Sequence, residues 1–173
     1  MKLKLKHVSI GLVALTLLIS AGYHWLAPKR LQQAPEVNFK IVDGRTLSLG
    51  QLKGRPVLVV FWATTCEGCI KEMPHLIELY HKFAPLGLEI IGVAMAYDPP
   101  NQVMEMRQRK QIPYPIALDI QGKIAKAFGD VRLTPTTFLI DSQGQVVIQK
   151  TGMLNRARMR HKLQSMLPTS PGA

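Results

Sequence analysis

Pro56-Val-Leu-Val-Val-Phe-Trp-Ala-Thr-Thr-Cys-Glu-Gly-Cys69 is the stretch on which the fold turns. Its first half, Pro56 to Trp62, is continuously apolar and rich in valine. That is the pattern of a strand covered on both faces rather than half exposed. Its second half carries both cysteines of the chain, Cys66 and Cys69. Residues 66–84 then place Ile70, Met73, Ile77, Leu79 and Tyr80 among polar residues, which predicts a helix. A buried strand therefore feeds a helix, and the cysteines stand at the helix start.

The spacing has chemical consequences. Positions i and i+3 share a helix face, so two sulfurs placed there can bond. A helix N-terminus offers unpaired N–H groups and a partial positive charge. Both favour a thiolate, and most of all at Cys66 in the first turn. An exposed thiolate of low pKa attacks a substrate disulfide, and a thiol three residues on resolves the mixed disulfide. Cys66 is thus the expected nucleophile, Cys69 the resolving thiol, and the two together a redox-active disulfide. Other readings compete. A structural disulfide closing so short a loop restricts the unfolded chain little. Two cysteines exclude both a disulfide framework and a self-contained four-cysteine zinc site. His75 and His81, six apart on the predicted helix, do not share a face and read as surface residues. No metal and no cofactor are expected, and the methionines read as core filling.

Outward from this centre, strands and helices alternate. Leu52-Lys-Gly-Arg55 turns into the first buried strand, and Asp43-Gly44 upstream marks a hairpin. Leu88 to Met95 reads as a second buried strand, 101–110 as an exposed helix, 116–118 as a short strand and 121–128 as a short helix. Thr136 to Ile140 is strand-like, Asp141-Ser-Gln-Gly144 turns into a strand over 146–149, and Asn155 caps a last helix to about Leu167. This order predicts an α/β sandwich around a mixed central sheet.

The N-terminus sets the compartment. Lys2, Lys4 and Lys6 precede Val8 to Ala27, twenty residues with no Asp, Glu, Lys or Arg. A helix of that length reaches about 30 Å, a hydrocarbon thickness. Within it, Tyr23, His24 and Trp25 follow the most apolar part, Ile10 to Ala21, at the position of an interfacial belt. The expectation is a cytoplasmic stub at 1–7, a transmembrane helix at 8–27 and a linker at 28–35. A folded domain at 36–168 and a tail at 169–173 complete the division. The competing reading of 8–27 is a signal peptide cut near Ser20–Gly22. Either way the folded domain lies outside the cytoplasm. The chain of 173 residues is 47% hydrophobic and 19% charged, which suits one globular domain and excludes a disordered tail. Its net charge of +11 is scattered apart from Arg156, Arg158, Arg160 and Lys162, and aromatics at 6% do not interleave with it. No nucleic-acid partner is expected.

These residues resemble a family. Phe61-Trp-Ala-Thr-Thr-Cys-Glu-Gly-Cys69 resembles the thioredoxin-like active-site segment. More narrowly, Cys66-x-x-Cys69-x-x-Glu72-x-Pro74 is similar to membrane-anchored extracytoplasmic thiol–disulfide oxidoreductases of the TlpA/ResA type. Thr134-Pro135-Thr-Thr-Phe-Leu-Ile-Asp141 resembles that family's cis-proline loop and following strand, and the likeness spans residues 36–168. It implies a thioredoxin-like α/β fold, a mixed sheet flanked by helices, behind one N-terminal transmembrane helix.

It also implies site roles. Pro135 would be cis and face the cysteine pair, the Thr134 backbone would pair with an extended peptide, and Trp62 would pack beside the disulfide as a shield. Glu72 would tune proton transfer by accepting the Cys69 proton, against the plainer role of a solvated glutamate favouring the helix dipole. Pro74 would kink the helix. The implied partners are protein thiols and disulfides, with apocytochrome c cysteines among the substrates, and a membrane electron donor for reductive work. The sequence departs from the pattern at Thr65, often Trp, and at Gly68, commonly Pro. Val60 stands where cytosolic thioredoxins carry a buried Asp. Three rival functions stand beside this one. A copper-binding assembly factor would usually show C-x-x-x-C. A peroxiredoxin would want Thr-x-x-Cys, where Ala63 stands. In a docking module the cysteines would be incidental.

Overall fold

The structure, a computed structural model, describes Thr16 and residues 33–168. The expected stub at 1–7, anchor at 8–27 (Thr16 apart), most of the linker and the tail at 169–173 lie outside the described residues. Among the described residues no helix is long and apolar enough to cross a membrane.

A hairpin of β1 (Asn38–Lys40) and β2 (Thr46–Ser48) opens the fold and turns at Asp43-Gly44, where Gly44 has a φ of 91°. The central sheet holds β3 (Val57–Trp62), β4 (Glu89–Ala94), β5 (Ile116–Leu118), β6 (Thr136–Ile140) and β7 (Val146–Thr151) in the order β5-β4-β3-β6-β7. β3 is parallel to β4, and β4 to β5, while β6 is antiparallel to both β3 and β7. The sheet is mixed, as expected. Helix α1 (Glu67–Phe83) follows β3, and α2 (Pro100–Arg109) follows β4. The short α3 (Lys123–Ala127) lies between β5 and β6, and α4 (Arg156–Met166) ends the domain.

All six residues of β3 are buried, and the alternation of the pleat sorts them. Leu58, Val60 and Trp62 pack with Met73, Leu76 and Leu79 of α1 and with Met159 and Leu163 of α4. Val57, Val59 and Phe61 face the other layer, with Phe39, Ile124, Phe128 and Phe138. A strand between two layers has no solvent face, which is why its sequence shows no polar alternation. Two expectations need correction. The sequence predicts an exposed helix at 101–110, but α2 buries Val103 and Met106 against the α1 layer. His75, expected at the surface, is 2% exposed, because α1 lies against the sheet and α4 together. His81 is exposed, as expected. Packing also begins inside the stretch read as linker. Ala34 N–H donates to Gly144 O at 2.9 Å, and Gln33 bridges Gln145.

Phe61, Phe128 and Phe138 form an edge-to-face trio with centroids 4.9–5.9 Å apart. Phe138→Ala removes one ring that the others cannot replace, at an expected cost of about 3–5 kcal/mol. Urea unfolding of the oxidised protein measures it, and a loss under about 1 kcal/mol would show that the trio is not a packed unit.

Candidate functional site

The site lies at the C-terminal end of β3, where the chain leaves the sheet and starts α1. Cys66 occupies the N-cap with an extended backbone, φ −86° and ψ 102°. Its Sγ accepts a hydrogen bond from the Cys69 N–H at 3.2 Å, in the position where a serine or aspartate oxygen usually caps. Cys66 and Cys69 are joined as a disulfide with Cα atoms 5.2 Å apart. The two sulfurs are not equivalent: Cys66 is partly exposed, whereas Cys69 is 3% exposed. The turn before them is tied down from another loop. Asp98, after β4, accepts from the Thr64 N–H at 2.7 Å and from the Thr64 hydroxyl at 2.5 Å.

The peptide bond between Thr134 and Pro135 is cis. Pro135 is buried and lines one small cavity together with Trp62, Cys69 and Glu72. A Cβ built on Gly68 would lie 3.5 Å from Pro135 Cδ and 3.7 Å from Met153 Cγ. Gly68, the second of the two residues between the cysteines, therefore faces both the cis-proline loop and the loop between β7 and α4. Among the described residues, neither the N–H nor the C=O of Thr134 has a hydrogen-bond partner. The large exposed apolar side chains include Leu133, next to Thr134, and Met153, over Gly68.

Glu72 is 3% exposed, so the solvated alternative does not describe it. Its Oε1 accepts from the Leu154 N–H at 2.6 Å, across 82 residues of sequence. Burial pushes its carboxyl above the ordinary value of 4.5, while that hydrogen bond and the charge of Arg156 offset part of the rise. Tyr114 borders the same cavity. Its hydroxyl is pushed upward by burial first and by the neighbouring Glu72 charge second. Val60 lines the cavity as well. A carboxyl thus enters from the helix side into a space to which β3 contributes Val60 and Trp62. His75, one turn further along α1, has neither ring nitrogen hydrogen-bonded, and burial and Arg156 lower its pKa. Among the described residues no group of three His, Cys, Asp or Glu side chains is placed to hold a metal ion.

All six sequence candidates, Trp62, Cys66, Cys69, Glu72, Thr134 and Pro135, fall on the β3–α1 junction and the loop before β6. Asp98, Tyr114, Leu154 and Gly92 were not expected there. They enter through contacts 34 to 82 residues away in the chain or across strands, and local sequence patterns carry no signal of them.

The Redoxin family matches residues 30–167. The thiol–disulfide oxidoreductase ResA of Bacillus thuringiensis subsp. konkukian is 33% identical over 137 residues, covering 79% of this chain and 78% of that protein. ResA of Halalkalibacterium halodurans is 32% identical over 158 residues, covering 87% and 89%. The crystal structure of a thioredoxin-family thiol:disulfide interchange protein from Chlorobium tepidum superposes with a TM-score of 0.71 at 27% identity, covering 81% of this chain and 99% of that one.

The raised pKa of Glu72 has a stability consequence of definite sign. The folded protein holds this proton more tightly than the unfolded chain does. That contribution is complete below the ordinary carboxyl value of 4.5 and is lost as pH rises through the raised value. Glu72→Gln removes the loss while leaving an acceptor for Leu154. The oxidised variant should gain stability over the wild type as pH rises above the ordinary carboxyl value of 4.5, read as urea midpoints at several pH values. Parallel pH profiles would contradict it.

Proposed function

This chain belongs to the Redoxin family and is a thiol–disulfide oxidoreductase of the ResA type, and we propose that it reduces protein disulfides through Cys66. The observation that carries the reading is the placement of Cys66 Sγ at the α1 N-cap, partly exposed, with Cys69 buried behind it. The Cys66 thiolate attacks one sulfur of a substrate disulfide. The second substrate sulfur leaves as a thiolate, and a mixed disulfide forms at Cys66. The Cys69 thiol gives its proton to Glu72, attacks Cys66 Sγ and expels the first substrate sulfur. Two electrons pass to the substrate, and the Cys66–Cys69 disulfide remains.

Substrate geometry follows from the loop before β6. The unpartnered Thr134 backbone suits an extended peptide added as a short strand. Pro135 and Trp62 pack behind the disulfide and support that loop, and the exposed Leu133 and Met153 offer apolar contact to residues flanking the substrate cysteine. The lysine-flanked apolar run at 8–27 supports a location of the domain outside a bacterial inner membrane. Disulfides persist there, so a reductant must receive electrons from a membrane partner. Apocytochrome c cysteines are a fitting substrate, as the resemblance to the TlpA/ResA type implies.

Reduced protein should cleave insulin disulfides, and Cys66→Ser should fall to the uncatalysed background. Cys69→Ser should attack once and accumulate the mixed disulfide, visible on non-reducing gels. Cys66→Ser activity equal to the wild type would end the assignment. The direction is tested by equilibrium with glutathione. A reductant keeps its pair largely oxidised against equal reduced and oxidised glutathione, and a largely reduced pair would make the protein an oxidant.

A further inference from the structure

The rim around Cys66 carries one sulfur that the thiol chemistry does not use. Met153 stands in the loop between β7 and α4 and is 46% exposed. Met73, Met95, Met106 and Met159 are buried, and Met104 and Met166 are half-buried. The Met153 side chain leans over the cysteine pair, with its Cγ 3.7 Å from the place of a Cβ on Gly68. Its backbone is pinned on both sides. Gly152, at a φ of 83°, donates its N–H to Pro135 O at 2.8 Å, and the Leu154 N–H donates to Glu72 Oε1 at 2.6 Å. The loop thus ties the cis-proline turn to α1 and holds a thioether in the open beside Cys66. In the oxidised protein both cysteine sulfurs are bound in the disulfide. Met153 Sδ then belongs to the most exposed sulfur-bearing side chain among the described residues.

We propose that Met153 is a redox switch on the capture of protein substrates, thrown by hydrogen peroxide. The proposal rests on the reading that Met153 touches residues flanking the substrate cysteine. A lone pair on Sδ attacks one peroxide oxygen, so that an S–O bond forms and the O–O bond breaks. The second oxygen leaves as hydroxide and takes the proton of the transferred one, which gives the sulfoxide and water. Two electrons pass from the sulfur to the peroxide. The change turns a flexible apolar side chain into a polar one. Apolar residues beside a substrate cysteine then lose a contact, and the sulfoxide oxygen must be desolvated before they can approach. The pinned backbone keeps the effect at the surface, because Gly152 and Leu154 hold their partners by main-chain N–H groups that the oxidation leaves intact. Cys66 and Cys69 keep their chemistry while the protein substrate is lost. A methionine sulfoxide reductase restores the thioether, with two electrons from a thiol pair and release of water. The switch withdraws the protein from disulfide reduction while peroxide is present and returns it afterwards.

The test starts from the oxidised full chain, treated with hydrogen peroxide and then freed of it. Peptide mass spectrometry should find the added oxygen on Met153 before any other methionine of residues 33–168. A dithiol then opens the Cys66–Cys69 disulfide and leaves the sulfoxide intact. The kcat/KM for insulin should fall about tenfold, the size of one lost apolar contact, while a small aryl disulfide is cleaved at the untreated rate. In Met153→Leu the ratio of treated to untreated insulin activity should stay at one, whatever the starting activity. Three results would overturn the switch: oxidation of Met153 no faster than that of the half-buried Met104 and Met166, an unchanged insulin rate in protein carrying the sulfoxide, or an equal loss on both disulfides. A comparable peroxide loss in Met153→Leu would overturn it too, by placing the sensitive group elsewhere. Untreated Met153→Gln tests the underlying reading by itself, and it should reduce insulin about tenfold more slowly than the wild type. A wild-type insulin rate in that variant would end the reading that Met153 meets the substrate, and the switch with it. A slow Met153→Gln beside a Met153 that peroxide leaves unreacted would end the switch alone.

Discussion

The first turn of α1 leaves backbone N–H groups without helical partners, and the one on Cys69 points at Cys66 Sγ from 3.2 Å. This contact makes a sulfur the cap of a helix. In the dithiol form the same geometry stabilises negative charge on that sulfur, through a direct hydrogen bond and through the helix dipole. Everything else in the site follows from holding that helix start still. The buried strand β3 fixes where α1 begins. Asp98 clamps the turn between them through Thr64. Glu67, in the first turn, would weaken the positive field, but it is exposed and paired with Lys71 at 2.6 Å.

The division of labour between the two cysteines is a matter of burial. Cys66 is partly open to solvent. Cys69 sits behind it against Trp62, Pro135 and Glu72, where a thiolate is costly unless its proton has somewhere near to go. Glu72, which we propose takes that proton, is held from outside its own helix by the Leu154 N–H ahead of α4. The C-terminal helix thus does more than close the core, since its lead-in orients the carboxyl and its first residue, Arg156, adds charge nearby. Burial and that charge act on Glu72 in opposite directions, and burial prevails.

Much of this was legible in the sequence. The uninterrupted apolar run at 56–62 announced a strand covered on both faces, and the helical spacing after it located the cysteines at a helix start. Strand limits at 116–118 and 136–140 and the hairpin at Asp43-Gly44 agree with the structure, because short apolar runs bounded by turn residues leave little choice of register. His75 and the inner face of α2 were misread for one reason. Burial by a distant element cannot be seen in the local periodicity of a helix that touches two neighbours. The same limit hid Leu154, Asp98 and Tyr114, which reach the site by topology. Gly92 carried a trace of signal, a lone glycine within a buried run, whose meaning appears only when Trp62 Nε1 is seen beside it.

The central claim is that the α1 N-terminus makes Cys66 an acid stronger than a free thiol. Ultraviolet titration of the thiolate in the reduced Cys69→Ser protein tests it most directly, with Cys66 as the one remaining thiol. The account predicts a midpoint well below the free-thiol value of about 8.5. A midpoint at or above that value would contradict it.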